Sequence, residues 1–323
     1  AQQLGTKLQH LWIVPDDVLC QLPFAALPVA ERPLVHHYTI SILPQFRWSS
    51  RRRQGLARTS GLGVALERTQ VQKADDSYEE LAAAATELDS LAAAQVDLLP
   101  SLRNEEATRA RTLQWLPQAS LAHFACHGEF FSEQPHASGL VLYDKILSVS
   151  DLYSLSLQRL DLALLSACYS GNLAMLPGRQ PIGISVAMLD RGAGAVLAAL
   201  WRVYDKAGAL FVETFYGIAR NQEPATALSL SQRQWLDRDR PRVWASYVAH
   251  VRGVVPGWPF RLILEAQLFA QQVKTRVAQQ LQGSRQQDAD KLAPGPQYAG
   301  LPASSRAASP SDNAPHPGAP DRA

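Results

Sequence analysis

The sequence predicts an α/β fold in which a mainly parallel sheet is flanked by helices on both faces, followed by a C-terminal helix and a disordered tail. Three observations lead there. Short apolar runs alternate with helix-like segments through the first 253 residues, the pattern that lays strands into one covered sheet. Two runs, Leu162 to Cys168 and Ala193 to Trp201, are almost unbrokenly apolar, as strands buried on both faces must be. After Gly253 the character changes to one long amphipathic stretch and then a segment without large apolar residues.

Taken in order, Leu11 to Val14 reads as a strand stopped by Pro15-Asp16-Asp17, Tyr38 to Leu43 as a second stopped by Pro44, and Gly61 to Leu66 as a third. Glu79 to Gln95 is Ala-rich, with Leu81, Ala84, Leu88 and Leu91 at helical spacing. Val96 to Leu99 is a short strand. Asn104 is placed to cap a helix through Leu116, with Glu105 and Glu106 in its first turn. Leu121 to Cys126 is a strand, and Leu140 to Val149 one or two strands around a turn at Asp144-Lys145. Pro181 to Arg191 is a helix that Gly192 ends. Helices over Asp205 to Arg220 and Ala225 to Leu236 and a strand over Trp244 to Val251 complete residues 1–253, read as one domain. Within 254–282, Leu262, Phe269, Val273, Val277 and Leu281 line one side of a helix that either packs on the domain or meets a partner. Residues 283–323 are rich in Pro, Gly, Ser and Ala, bury too little to offset chain entropy, and read as disordered.

The 31 basic and 29 acidic residues sum to +2, which gives no electrostatic reason to expect nucleic acid or an anionic membrane as partner. Arg51, Arg52 and Arg53 form a short run of the kind found on solvated loops. Three cysteines, Cys20, Cys126 and Cys168, are no disulfide framework. They fit a reducing, cytoplasmic setting in which a thiol stays free to react. No apolar stretch approaches the ~20 residues a membrane helix requires. The chain begins at Ala1 without Met and is read as one end of a longer protein.

The chemistry concentrates at two strand ends. In open parallel sheets ligands bind beyond the C-terminal ends of the strands. One strand here ends in Cys126-His127-Gly128, the other in Ser166-Ala167-Cys168-Tyr169-Ser170-Gly171. If the two are parallel neighbours, His127 and Cys168 project into one crevice. A thiol needs a base or a positive field to become a thiolate, and an imidazole supplies either. The glycine after the histidine lets backbone approach a substrate, so the N–H groups of Gly128 and Cys168 would make an oxyanion hole. A lone cysteine at the end of a buried strand is ordinarily an inert small hydrophobe; the paired arrangement, with the histidine roughly forty residues upstream of Ala-Cys, is much rarer.

These motifs resemble the CHAT domain, a caspase-like domain often fused to TPR repeats and related to separases. Leu11-Trp12-Ile13-Val14-Pro15-Asp16 and Leu22-Pro23-Phe24-Ala25-Ala26-Leu27-Pro28 look like that family's opening, and Ser41-Ile42-Leu43-Pro44 like its next strand. His123-Phe124-Ala125-Cys126-His127-Gly128 is similar to its histidine motif and Leu165-Ser166-Ala167-Cys168 to its cysteine motif. Ala199 to Asp205 resembles its Leu-Trp-x-Val-x-Asp segment, and Trp244 to Val248 its last strand. The resemblance implies a caspase-like fold, His127 as catalytic histidine, Cys168 as nucleophile and His123 as a structural residue. It places Trp201, Arg202 and Asp205 in the pocket for the residue before the cleaved bond. Asp205 would there contact a basic side chain or else cap the helix that starts with it. The family commonly carries Glu-Thr where this chain has Tyr169-Ser170, Pro at Arg202 and Asp at Tyr204. These departures flank the nucleophile and the expected pocket, and so bear on specificity.

Other motifs are weaker. Gly183 to Ala187 resembles a nucleophile elbow but lacks the last glycine and sits inside a helix. Gly61-Leu62-Gly63 lacks the third glycine of a dinucleotide fingerprint. His123, Cys126, His127 and His136 have no second ligand pair to complete a zinc site. The expected function is a cysteine endopeptidase that needs no metal or organic cofactor and processes a specific protein substrate, in bacterial signalling or defence, with TPR or other repeats or a regulatory partner alongside. The alternative is a catalytically silent CHAT-like interaction module of a larger protein.

Overall fold

In the computed structural model the described residues are 10–45, 60–73, 77–93, 97–175, 180–203, 205–238 and 241–253, all within one compact unit. The expected helix over 254–282 and the tail over 283–323 lie outside them.

Eight strands build the central sheet: β1 (His10–Ile13), β2 (Thr39–Ile42), β3 (Ser60–Ala65), β4 (Asp97–Arg103), β5 (Leu121–Ala125), β6 (Leu162–Ser166), β7 (Ala195–Ala199) and β8 (Tyr247–Val251). Their spatial order is β1-β2-β8-β7-β6-β5-β3-β4. Every pairing is parallel except β7 with β8, so the sheet is two parallel blocks meeting at one antiparallel seam. The middle strands carry the apolar runs: all five residues of β5 and of β7 are buried, as are Leu162 to Leu165 of β6.

Among the described residues, five longer helices cover the sheet: α1 (Ala84–Ala93), α2 (Arg109–Trp115), α3 (Ile184–Asp190), α4 (Asp205–Ala219) and α5 (Pro224–Trp235). Alternation along each strand sorts the two faces. Ala122 and Phe124 join Ala163, Leu165, Val196 and Ala198 in a core with Ile184, Ala187 and Met188 of α3. His123 points the other way, toward Glu87 of α1 and Tyr216 of α4. Between β5 and β6 the chain makes a small antiparallel sheet of His127–Glu129, Gly139–Val141 and Ile146–Ser148, the expected turn at Asp144-Lys145 joining the last two.

Some boundaries differ from the sequence reading for local reasons. Thr108, rather than Asn104, caps α2 by accepting from the Arg111 N–H. Asn104 sits at φ 44° and spends its side-chain oxygen on the Glu67 N–H at 3.0 Å, bracing the end of β3. Trp244 closes a helical turn, Pro241–Trp244, opened by a proline that suits a first helical position, and the last strand starts only at Tyr247. Gly192, at φ 124°, ends α3 as expected, since a side chain there would be strained.

Candidate active site

The register of β5 on β6 determines what meets at the sheet's edge. Ala125 pairs with Ser166 in parallel, and the Cys126 N–H continues the ladder to the Ser166 carbonyl at 3.4 Å. His127 and Cys168, each two residues further on, therefore leave the sheet side by side. Both line one crevice of about 40 Å³ together with Leu81, Ala84, Glu87, Ser166, Val203, Gly208 and Tyr247.

The histidine is held in one tautomer. Its Nε2 lies 2.7 Å from the carbonyl oxygen of Glu79. A carbonyl only accepts, so Nε2 carries the proton and Nδ1 keeps the lone pair. Tyr78 packs against the ring with centroids 4.9 Å apart. Burial lowers the imidazole's pKa; the Glu79 carbonyl opposes this, while Lys73 and Arg202 add to it.

The cysteine sits on a tight turn. Tyr169 adopts φ 58°, a conformation that costs a non-glycine residue energy and is found at functional turns. The turn is pinned from below: the buried Ser170 hydroxyl bonds to the Leu165 carbonyl at 3.3 Å and accepts from the Ala199 N–H at 3.1 Å, and the Gly171 N–H donates to the Ala199 carbonyl at 2.9 Å. Half-buried Cys168 has its thiol pKa raised by desolvation. Opposing this, backbone N–H groups of Val203 and of Cys168 itself donate toward the sulfur, and Arg202 and Lys73 supply positive charge. Cys126 and Cys20 are fully buried thiols; desolvation pushes both up, Cys20 to about 12, and neither is a nucleophile.

Gly128 is required sterically. A Cβ there would meet the Cys168 carbonyl oxygen at 2.2 Å, so the two motifs touch backbone to backbone. Of the expected pocket residues, Trp201 and Arg202 do not line the crevice; Val203, which was not expected there, does. Trp201 turns away and donates its indole N–H to the Arg242 carbonyl at 2.8 Å. Arg202 lies on the rim, paired with the Glu79 carboxylate. Asp205 opens α4; its side chain is outside the described residues, as is Tyr204.

The sequence reading did not single out Glu79, Lys73 or the buried set beneath His127 and Cys168. Ser166 donates to Glu87 Oε1 at 2.9 Å and lies 3.4 Å from the Tyr247 hydroxyl. Glu87 Oε2 is 3.2 Å from His123 Nε2, and His123 Nδ1 is 2.9 Å from the Tyr216 hydroxyl. The signal for Glu87 was present: a carboxylate one residue from Leu88 on the apolar stripe of an Ala-rich helix. His123 is buried and structural in position. Among the described residues no group of three His, Cys, Asp or Glu is arranged to hold a metal ion, and no helix is long and apolar enough to cross a membrane.

A mostly parallel sheet covered on both faces, with histidine and cysteine at adjacent strand ends, defines a caspase-like fold. The CHAT domain model matches residues 1–252, and the chain belongs to that family. Among solved structures, separase in the Saccharomyces cerevisiae separase–securin complex aligns with a TM-score of 0.52 at 16% identity, over 75% of this chain and 15% of that one. The Arg-specific cysteine proteinase gingipain R aligns at 0.42 and 10% identity over 59% of this chain. Caspase-1 from Spodoptera frugiperda aligns at 0.39 and 13% over 66% of this chain and 94% of its own. The chain spans about half the length of the gingipain chain (46%). None of the curated proteins matches it.

Proposed function

We propose that this chain is a cysteine endopeptidase that cuts a specific protein substrate with His127 and Cys168. The observation that carries this reading is the placement of both side chains on one crevice at the ends of adjacent parallel strands. In the reaction, Cys168 Sγ attacks the scissile carbonyl carbon and its proton passes to His127 Nδ1, the nitrogen left free by the Glu79 contact. The carbonyl oxygen gains negative charge and is held by the N–H groups of Gly128 and Cys168. The C–N bond breaks as Nδ1 gives the proton to the leaving amine, and water then hydrolyses the thioester. No step draws on a metal or an organic cofactor.

Residues 1–253 form the catalytic domain in this reading, and 254–282 and 283–323 serve contacts outside it, to a regulatory partner or to repeat domains of a longer chain. The free thiols suit a reducing cytoplasm. A dedicated substrate suits processing in bacterial signalling or defence better than general degradation. Support comes from the CHAT match and from the tautomer lock on His127.

The test is a thiol-reactive peptidyl probe with the whole chain. Wild type should be labelled at Cys168, as located by peptide mass spectrometry, and should cleave peptides from a mixed library. Cys168→Ala should do neither. Equal processing by the mutant, or a wild-type chain inert to every probe, would leave the silent interaction module as the reading.

A further inference from the structure

We propose that the Glu87 carboxylate is the floor of the pocket that receives the substrate residue before the cleaved bond, and that this residue is a lysine or arginine. The inference rests on the peptidase reading above and specifies its substrate class.

Glu87 and Cys168 line the same crevice. Glu87 is 3% exposed, and its Oε2 makes no hydrogen bond. No Lys or Arg among the described residues forms an ion pair with it; its near polar neighbours are the Ser166 hydroxyl on Oε1 and His123 beside Oε2. A buried carboxylate with no Lys or Arg beside it is costly, and one that opens onto a substrate crevice is offset when a cationic side chain enters.

The dimensions agree. Ser166, which holds Glu87, is two residues before Cys168, a span of at most about 7 Å and within the reach of an extended Lys or Arg side chain. The cavity of about 40 Å³ has room for two or three waters, the scale of an ammonium or guanidinium group rather than of an indole. Gly208 of α4 keeps it open: a Cβ there would stand 3.5 Å from the Tyr247 hydroxyl and 4.0 Å from Glu87 Oε1. At the rim the charge reverses, since Lys73 and Arg202 bear on the dyad, so the acid is offered only to a side chain that reaches past them.

The experiment labels the full chain with peptidyl ketone probes that differ only in the residue next to the warhead: Arg, Lys, Leu or Asp. Arg or Lys probes should label Cys168 at least tenfold faster than Leu or Asp. Glu87→Gln, its fold checked by circular dichroism, should lose at least tenfold on the Arg and Lys probes and so erase the ranking. A wild-type preference for Leu or Asp overturns this inference and leaves the peptidase reading standing, whereas no labelling by any probe overturns both. If Glu87→Gln does not fold, the wild-type ranking decides alone.

Discussion

The Nε2–H of His127 donates to the main-chain carbonyl of Glu79 at 2.7 Å, which fixes the tautomer of its ring. A thiolate–imidazolium pair requires the thiol to be the stronger acid. Here desolvation raises Cys168 above its ordinary 9.0 and lowers His127 below its ordinary 6.5, so both partners rest neutral. Alkylation of Cys168 by iodoacetamide, which requires the thiolate, should therefore keep accelerating from pH 6 past pH 9. A rate already level near pH 5 to 6 would show a preformed ion pair and contradict this account.

Arg202 is the residue on which the rim's positive field can be tested. It is paired with Glu79, and both side chains are more than half exposed, so its loss should cost no more than about 0.5 kcal/mol of stability. It also lowers the pKa of Cys168. Arg202→Ala should shift the alkylation profile toward higher pH while leaving the melting temperature nearly unchanged. An unmoved profile would mean that the Arg202 charge does not reach the sulfur.

Much of this site was legible in the sequence because it depends on strand ends and register. Two apolar runs, each followed by a reactive side chain, are visible without coordinates, and parallel pairing of Ala125 with Ser166 brings them together. The contacts that tune the dyad were not legible, because they come from segments far away in the chain. The Glu79 carbonyl reaches His127 across 48 positions, and no side-chain pattern marks a backbone acceptor. Glu87 was visible only as an anomaly on an apolar stripe, and its partners Ser166 and His123 lie on two different strands. The direction of β8 was equally hidden: its apolar composition predicts a strand, while its antiparallel seam with β7 follows from the long excursion through α4 and α5.

Gly128→Ala should separate close approach from mere flexibility. The added methyl would lie 2.2 Å from the Cys168 carbonyl oxygen, and backbone on both sides cannot yield as a side-chain tip would. Overpacking of this kind costs about 1–3 kcal/mol, and here it also pushes the two motifs apart. The variant should melt at lower temperature and lose peptidyl-probe labelling of Cys168 by well over tenfold. A variant with wild-type labelling would show that the two backbones have room to separate.

His250 should make the fold acid-labile. It is buried in β8 with Nδ1 2.8 Å from the Ser185 hydroxyl, and desolvation pushes it down to about 4 from 6.5. Below pH 6.5 the unfolded chain binds a proton that the folded chain refuses, so stability falls as pH drops from 6.5 toward 4 and is fully present above that window. At about 1.4 kcal/mol per pH unit, the loss approaches about 3 kcal/mol. Denaturant melts at pH 7 and pH 4.5 should show it, and His250→Asn should flatten the slope. A wild-type stability that does not change across this window would mean that His250 is protonated within the fold.

Two glycines of α4 provide a matched pair. Gly208 faces the crevice, with Val203, Tyr247 and Glu87 within 4 Å of a would-be Cβ, whereas nothing lies within 4 Å at Gly217. A glycine in a helix interior costs roughly 0.5–1 kcal/mol relative to alanine, so either alanine should raise the melting temperature by roughly 1–4 °C. Their effects on catalysis should diverge. Gly217→Ala should leave peptide cleavage unchanged. Gly208→Ala meets only ordinary van der Waals distances and folds without strain, but its methyl takes up space beside Glu87 and should lower kcat/KM several-fold, most of all for the longest side chains. The helix keeps its less stable residue at 208 because the crevice needs the volume; equal cleavage by both variants would remove that reason.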